Sequence, residues 1–541
     1  MAVMGNLESA FAVIDKLVGD QRALEGLPGV AVGITDRQRL LHVSTSGYAD
    51  IAGRKAVSRD SLFHIGSISK SFASVVVLQL AEEGKLDLHA PIKDYLPWFD
   101  IKSAFKPITL HHLLTHTGGI WTGSDIGYDA LGETALLMGS EVTAELGTYF
   151  HYSNVGYKMI GLVIEGILGE QIGDVLGRRV LKPLGMEKTE TVISQATRER
   201  TVEGYVRAKG DRPRSRRSTY VPAPWQDSGT ADGSISSSAV DMTAYIRMIL
   251  NEGSGPGGEL LSKQGFSLLT QKAAPYEDPQ GNEFYGYGLV SSEIDGHRII
   301  GHTGGMLGFV ASMIADMTAG VGVIVLYNCG SYDDKTDLAK TILRVMADAV
   351  SGKQLQPSAP DTTEIENAAD YEGTFYSGDG MVTFVARGNK LLLEDAPDVP
   401  LERRGTDIFY ADVPSHDLFW YKFSRKDGRV TEVSHGAYWF ASESYDGPRT
   451  FSVPEEWEAL TGHYRTHDPW ISGFRIVVRK DQLIMIDPGG EEHILVPIKD
   501  TLFRIDADPR SPERVRFDMI VDGKAVRAEI SGCDCFRVSM P

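Results

Sequence analysis

Ser67-Ile68-Ser69-Lys70 sets a hydroxyl and an amine three residues apart, and on a helix that spacing puts both on one face. A serine hydroxyl is a weak nucleophile at neutral pH. A neighbouring amine can draw off its proton when desolvation or nearby cations keep that amine partly neutral. The flanking residues supply such a setting. Gly66 precedes the serine, and Ser71-Phe72-Ala73-Ser74-Val75-Val76-Val77-Leu78-Gln79-Leu80-Ala81 is small or apolar almost all round, the pattern of a core helix. Gly84 is its C-terminal stop signal. The chemistry implied is acyl transfer through a serine ester.

The same pattern recurs at Ser103-Ala104-Phe105-Lys106, but Pro107 biases Lys106 away from helical geometry, so this copy reads as a surface loop. Two further motifs strengthen the first. Tyr152-Ser153-Asn154 is the only Tyr-x-Asn in the chain, where about 0.3 are expected by chance. It stands just before the apolar stretch Met159 to Ile164, as a loop entering a helix. His302-Thr303-Gly304-Gly305 follows the strand-like Arg298-Ile299-Ile300, and its two glycines let a substrate lie against the backbone. Tyr152 has an ordinary pKa near ~10, so it serves as a base only if Lys70 and His302 stabilise its phenolate. The residues leave open whether Lys70 or Tyr152 takes the proton.

In this order the three motifs resemble those of the penicillin-recognising serine hydrolases. Within that group they look most like the class C beta-lactamase-like branch, which includes D-aminopeptidases and D-amino acid amidases. Tyr-Ser-Asn and His-Thr-Gly stand where related enzymes carry Ser-Asp-Asn and Lys-Thr-Gly. The resemblance spans about residues 10 to 350. It implies Ser67 as nucleophile and Lys70, Tyr152 and His302 as its catalytic partners. It further implies an oxyanion hole from the backbone N–H groups of Ser67 and Gly305, and substrate binding by Asn154, Thr303 and Gly304. Leu113-Leu114-Thr115-His116-Thr117-Gly118-Gly119 repeats the letters found at 302 and also looks like a recurring stretch of the branch; it reads as structural.

Other candidates are weaker. His111, His112 and His116 cluster without a His-Glu-x-x-His arrangement, so no metal is expected. No phosphate-cradling loop or dinucleotide fingerprint occurs, and no cofactor is called for. Arg212, Arg214, Arg216 and Arg217 form a basic run whose default is a solvated loop and whose sharper reading is attraction of a substrate carboxylate.

The chain has 541 residues with 54 basic and 73 acidic side chains, a net charge of −19. That balance repels nucleic acid and anionic membrane surfaces. Cys329, Cys533 and Cys535 are too few and too irregular for a disulfide framework. The start of the chain has no basic, apolar leader pattern, and no stretch is long enough to span a membrane. Together these point to a cytoplasmic protein, unless a leader has been removed, with a small peptide as partner and a homodimer as the candidate assembly.

The elements that position the motifs follow from periodicity. An amphipathic N-terminal helix leads into strand Val30 to Ile34, and Val323 to Leu326 reads as a buried strand. A helix with Leu338, Ile342, Val345, Met346 and Ala349 on one face closes a first domain at 1–355. Residues 351–366 are linker-like. Beyond them a pattern of short strands occurs twice. Tyr371 to Tyr376 echoes Leu460 to Arg465, and Asp427-Gly428-Arg429 echoes Asp522-Gly523-Lys524. The expected architecture is an α/β (α+β) beta-lactamase/transpeptidase-like catalytic domain followed by two small antiparallel lipocalin-like β-barrels at 367–452 and 455–541. That arrangement resembles the D-aminopeptidases, in which a loop of the last barrel reaches the active site; Asp487-Pro488-Gly489-Gly490-Glu491-Glu492 is the candidate for it.

The leading reading is a serine peptidase or amidase acting on peptides that contain D-amino acid residues, linearised microcystin among them. The alternatives are a carboxylesterase or beta-lactamase-like hydrolase, and a binding protein with a silent catalytic domain.

Overall fold

The computed structural model describes residues 2–124, 129–276, 281–330, 337–353, 357, 359, 361–378 and 380–538. Of the linker read at 351–366, residues 354–356, 358 and 360 lie outside the described residues. The chain divides into two units. The first comprises Met1–Val206, Tyr220–Ala359 and Arg510–Pro512, and the second Arg207–Thr219, Pro360–Pro509 and Glu513–Pro541.

The main elements of the first unit are α1 (Ala2–Leu24), β1 (Gly29–Asp36), β2 (Leu40–Asp50), α2 (Ser69–Glu82), α3 (Asn154–Leu168), α4 (Ala239–Leu250), β3 (Val290–Ile294), β4 (His297–Met306), β5 (Phe309–Asp316), β6 (Val321–Tyr327) and α5 (Asp337–Ser351). Its nine-stranded sheet is antiparallel throughout, with the run β3-β4-β5-β6-β1-β2 inside it. The two-residue period of β1 sorts the layers. Val30, Val32 and Ile34 pack with Leu17 and Val18 of α1 and Ile342 and Val345 of α5. The opposite face carries Ala31 and Gly33, and a Cβ on Gly33 would stand 2.6 Å from the Ala239 carbonyl oxygen. Small residues there let the backbone of α4 rest on the sheet. The expected stripe of α5 is buried along its length.

Helix α2 is the helix that the apolar run predicts. Ser69 to Leu78 and Leu80 are buried, and the helix ends before Gly84, which takes the left-handed φ of 68° that a side chain would oppose.

The second unit carries the repeat seen in the sequence. Each copy enters through a 3-10 turn, Ala368–Tyr371 or Glu455–Ala459, and then a glycine at positive φ, Gly373 or Gly462. The Asp427-Gly428 and Asp522-Gly523 pairs have positive φ at both positions, as two-residue hairpin turns of type I′ require. The later copy is a closed eight-stranded barrel. The earlier one is a nine-stranded sheet whose ladder stops between Ala396–Pro400 and Glu402–Gly405. Pro397 and Pro400 remove two N–H donors from that edge. This is the α+β body followed by antiparallel barrels that the resemblance implies, with the first barrel only nearly closed.

One expectation for this unit is corrected. The arginine run is not a solvated loop. Arg212 donates to both carboxylate oxygens of Asp417 at 2.9 Å, and Arg216 pairs with Asp361 at 2.5 Å, all within the second unit. In the turn at 487–492 a Cβ on Gly490 would lie 2.6 Å from the Trp420 ring, and Glu492 pairs with Arg479. Among the described residues no helix is long and apolar enough to cross a membrane.

Candidate active site

Ser67 lies in the 3-10 turn Gly66–Ile68, which runs directly into α2, so Lys70 falls in the first turn of the helix. Ser67 is half-buried and Lys70 fully buried. The Lys70 Nζ stands 3.1 Å from Ser67 Oγ, 2.8 Å from Asn154 Oδ1 and 2.9 Å from the Asp232 carbonyl oxygen. Three oxygens match the three N–H donors of an ammonium group. An ammonium group at this depth would have an acceptor for each of its protons. The ring of Tyr152 lies 5.0 Å from the same nitrogen, within cation–π range.

Tyr152 and Asn154 are fixed by the entry to α3. Ser153 is the N-cap, its hydroxyl accepting the Gly156 N–H at 3.1 Å, and the Ser153 N–H donates to His116 Nδ1 at 3.0 Å. His116 is fully buried among Phe150, Tyr152, Tyr157 and Tyr285. Burial first, and then the Lys70 charge, hold its pKa well below the usual histidine range. Asn154 donates its backbone N–H to the Thr122 carbonyl at 2.8 Å. Its Oδ1 is taken by Lys70, which leaves Nδ2 without a protein partner among the described residues.

His302 joins the site through rings. Its Nδ1–H donates to the Thr303 carbonyl, and its Nε2 accepts from the Tyr285 hydroxyl at 2.9 Å. Burial pushes the Tyr285 phenol well above its ordinary range, so it stays the donor. Burial, opposed by the Thr303 bond and aided by the Lys70 charge, lowers His302 to about 4. The imidazole is therefore neutral at pH 7. Its ring centroid is 6.4 Å from that of Tyr152.

Two backbones meet at the remaining candidates. Gly66 has φ 52°, and a Cβ there would stand 2.4 Å from the Gly305 carbonyl oxygen. A Cβ on Gly304 would stand 1.8 Å from the Ile65 carbonyl oxygen and 3.1 Å from the Ser67 nitrogen. Glycine at both positions is what lets β4 close on the Gly66–Ile68 turn. Gly305 faces open space, with nothing within 4 Å of the place a Cβ would occupy. The β3 ladder stops at Gly301 while the β5 ladder continues to Met306, so Thr303 and Gly304 lie where β4 has a strand on one side only.

Sequence reasoning misses His116, read as purely structural, together with Tyr285 and the Asp232 carbonyl. The second Ser-x-x-Lys is an exposed loop in which Ser103 Oγ accepts the Phe105 N–H at 3.0 Å. His111 bonds the Tyr287 hydroxyl at 2.8 Å, and His112 closes a capping box with Thr109. Among the described residues no group of three His, Cys, Asp or Glu side chains is placed to hold a metal. Cys533 and Cys535 are buried in the core of the closed barrel.

A serine turn, a buried lysine and a glycine-rich strand on an α+β body define a serine hydrolase of the penicillin-binding protein and beta-lactamase fold. The family model described as Beta-lactamase matches residues 14–347, and the chain belongs to that family. It is similar to penicillin-binding protein 4 of Amycolatopsis lactamdurans, 28% identical over 369 residues that cover 64% of this chain and 94% of the relative. Among solved structures, the octameric penicillin-binding protein homologue from Pyrococcus abyssi is 22% identical with a TM-score of 0.59, covering 81% of this chain and 100% of its own. The D-amino acid amidase from Ochrobactrum anthropi SV3, complexed with L-phenylalanine amide, is 23% identical with a TM-score of 0.52, covering 64% of this chain and 99% of its own.

Proposed function

We propose that this chain is a serine peptidase or amidase that hydrolyses peptides containing D-amino acid residues through an acyl-enzyme on Ser67. The observation that carries the reading is the buried Lys70 ammonium, held between Ser67 Oγ and Asn154 Oδ1. In the proposed cycle Ser67 Oγ attacks the scissile carbonyl carbon, and its proton passes to Tyr152, whose phenolate the adjacent cation favours. The backbone N–H groups of Ser67 and Gly305 bind the tetrahedral oxyanion. Collapse breaks the C–N bond, and the leaving amine takes the proton back from Tyr152. Water then attacks the ester by the same proton route, releasing the acid and restoring Ser67. Asn154 Nδ2 holds the substrate amide, and Thr303 and Gly304 receive its backbone along the one-sided stretch of β4.

The D-residue preference is supported by the D-amino acid amidase among the fold neighbours. Linearised microcystin belongs to the substrate class, but Arg212 and Arg216 do not support it, since both are held in ion pairs. The partner is a small peptide, and the homodimer stands as the proposed assembly beside a homologue that is octameric.

The test is hydrolysis of matched D- and L-aminoacyl anilides, short acyl esters and a linear D-residue peptide by wild type and Ser67→Ala. Activity confined to D-residue substrates and lost in Ser67→Ala is expected. Ser67-dependent ester cleavage alone would move the protein to the carboxylesterases, and activity unchanged by the substitution would remove Ser67 as nucleophile.

A further inference from the structure

The first barrel of the second unit contains a cavity of about 400 Å³, within the range of small-molecule sites, which also occur at the mouths of β-barrels. Its walls are aromatic, with Phe419, Tyr421, His435 and Tyr438 among them, and none of the lining side chains is a lysine or arginine. Tyr438 and Met381 at this pocket are exposed, an unusual place for large apolar groups.

A hydrogen-bonded relay is built into one wall. Tyr421 OH lies 2.6 Å from His416 Nδ1, and His416 Nε2 lies 3.0 Å from Asp395 Oδ2. Burial and the Asp395 charge push the Tyr421 phenol up, so it keeps its proton. His435 stacks on Tyr421 with ring centroids 4.3 Å apart, and burial holds it at about 4, hence neutral. His435 therefore brings no positive charge to the pocket. The pocket's fixed charges are the carboxylates of Asp395 and Glu394, both on exposed residues.

We infer that this pocket binds an organic ammonium cation carried on an aromatic or apolar body. The aromatic faces attract a cation through their quadrupoles, the apolar body fills the cavity, and the Asp395 carboxylate accepts the ammonium N–H, its orientation fixed by His416. No residue of the first unit lines the pocket, so the inference stands apart from the hydrolase reading.

The experiment is calorimetric titration of the full chain with 2-phenylethylammonium, and with neutral 2-phenylethanol and anionic phenylacetate of similar size. Sub-millimolar binding of the cation is expected, at least tenfold tighter than of the alcohol, with phenylacetate weaker still. The affinity is expected to fall at least fivefold in Asp395→Asn/Glu394→Gln. Tyr438→Ser, at an exposed position, provides a second variant that does not disturb the relay and is expected to weaken binding as well. An unchanged Tm in each variant serves as the check that the chain is folded. Absence of binding at millimolar cation, equal binding of phenylacetate, or an affinity unchanged in both variants would overturn the proposal.

Discussion

The imidazole of His116 lies against the phenol ring of Tyr152 with centroids 4.2 Å apart, while its Nδ1 holds the N–H of the next residue, Ser153. One side chain thus fixes both the ring and the backbone of the Tyr-Ser-Asn motif. His116 touches no reacting atom in the proposed cycle, so it is a positioning residue. His116→Leu is expected to lower kcat by about tenfold or more through misplacement of Tyr152. His116→Asn, which offers an acceptor and tolerates the left-handed φ of 55°, is expected to recover part of that loss. Equal kcat in the two variants would show that the bond to Ser153 does no positioning.

Gly304→Ala tests the meeting of β4 with the Gly66–Ile68 turn. The new methyl would overlap the Ile65 carbonyl oxygen, and backbone cannot swing aside as a side chain can. A loss of activity of about 10² or more is expected if the shift displaces one oxyanion donor, with a lowered Tm. Gly305→Ala meets no atom and is the matched control for Tm, which it is expected to leave in place. Wild-type activity in Gly304→Ala would contradict the close approach.

The buried neutral histidines set an acid limit on stability. His302 and His435 are held at about 4 and His64 at about 3 by burial. The unfolded chain takes up protons near ~6.5, so this stabilisation is full above that pH and is lost as pH falls toward 4. Each histidine adds at most about 1.4 kcal/mol per pH unit to the slope. Urea midpoints measured from pH 7.5 to 4.5 should fall on acidification, and less steeply in His302→Gln. A steeper fall in that variant would place the charge elsewhere.

Lys70→Met removes the donor shared by Ser67 Oγ, Asn154 Oδ1 and the Asp232 carbonyl. A fall in kcat of about 10³ or more is expected, since nucleophile and base lose their common cation, with slower fluorophosphonate labelling of Ser67. A kcat within tenfold of wild type would take Lys70 out of the chemistry.

Much of this arrangement is legible in the sequence because it rests on short-range rules. Ser67 and Lys70 share a helical turn, the stripe of α5 has a helical period, and the Asp-Gly pairs announce their hairpins. What is not legible depends on contacts across the chain. His116 reaches Ser153 over 37 residues, and its local sequence is that of an ordinary helix end. Asp232 contributes only a carbonyl oxygen, which every residue type possesses. The arginine run looks solvated because its partners, Asp417 and Asp361, lie 205 and 145 residues away. Distance in sequence likewise hides the packing of Gly490 on Trp420.

The acceptors around Lys70 come from the turn before α2, the start of α3 and the carbonyl of Asp232, which is 162 residues further along the chain than the lysine. Ser67 and Lys70 therefore leave the ribosome early and side by side, yet the cage that organises them is complete only after Asp232, and β4 only after Met306, has been made. A nascent or partly unfolded chain carries the serine without its machinery. The three-acceptor cage around Lys70 is thus a property of the folded first unit and of no shorter piece of it.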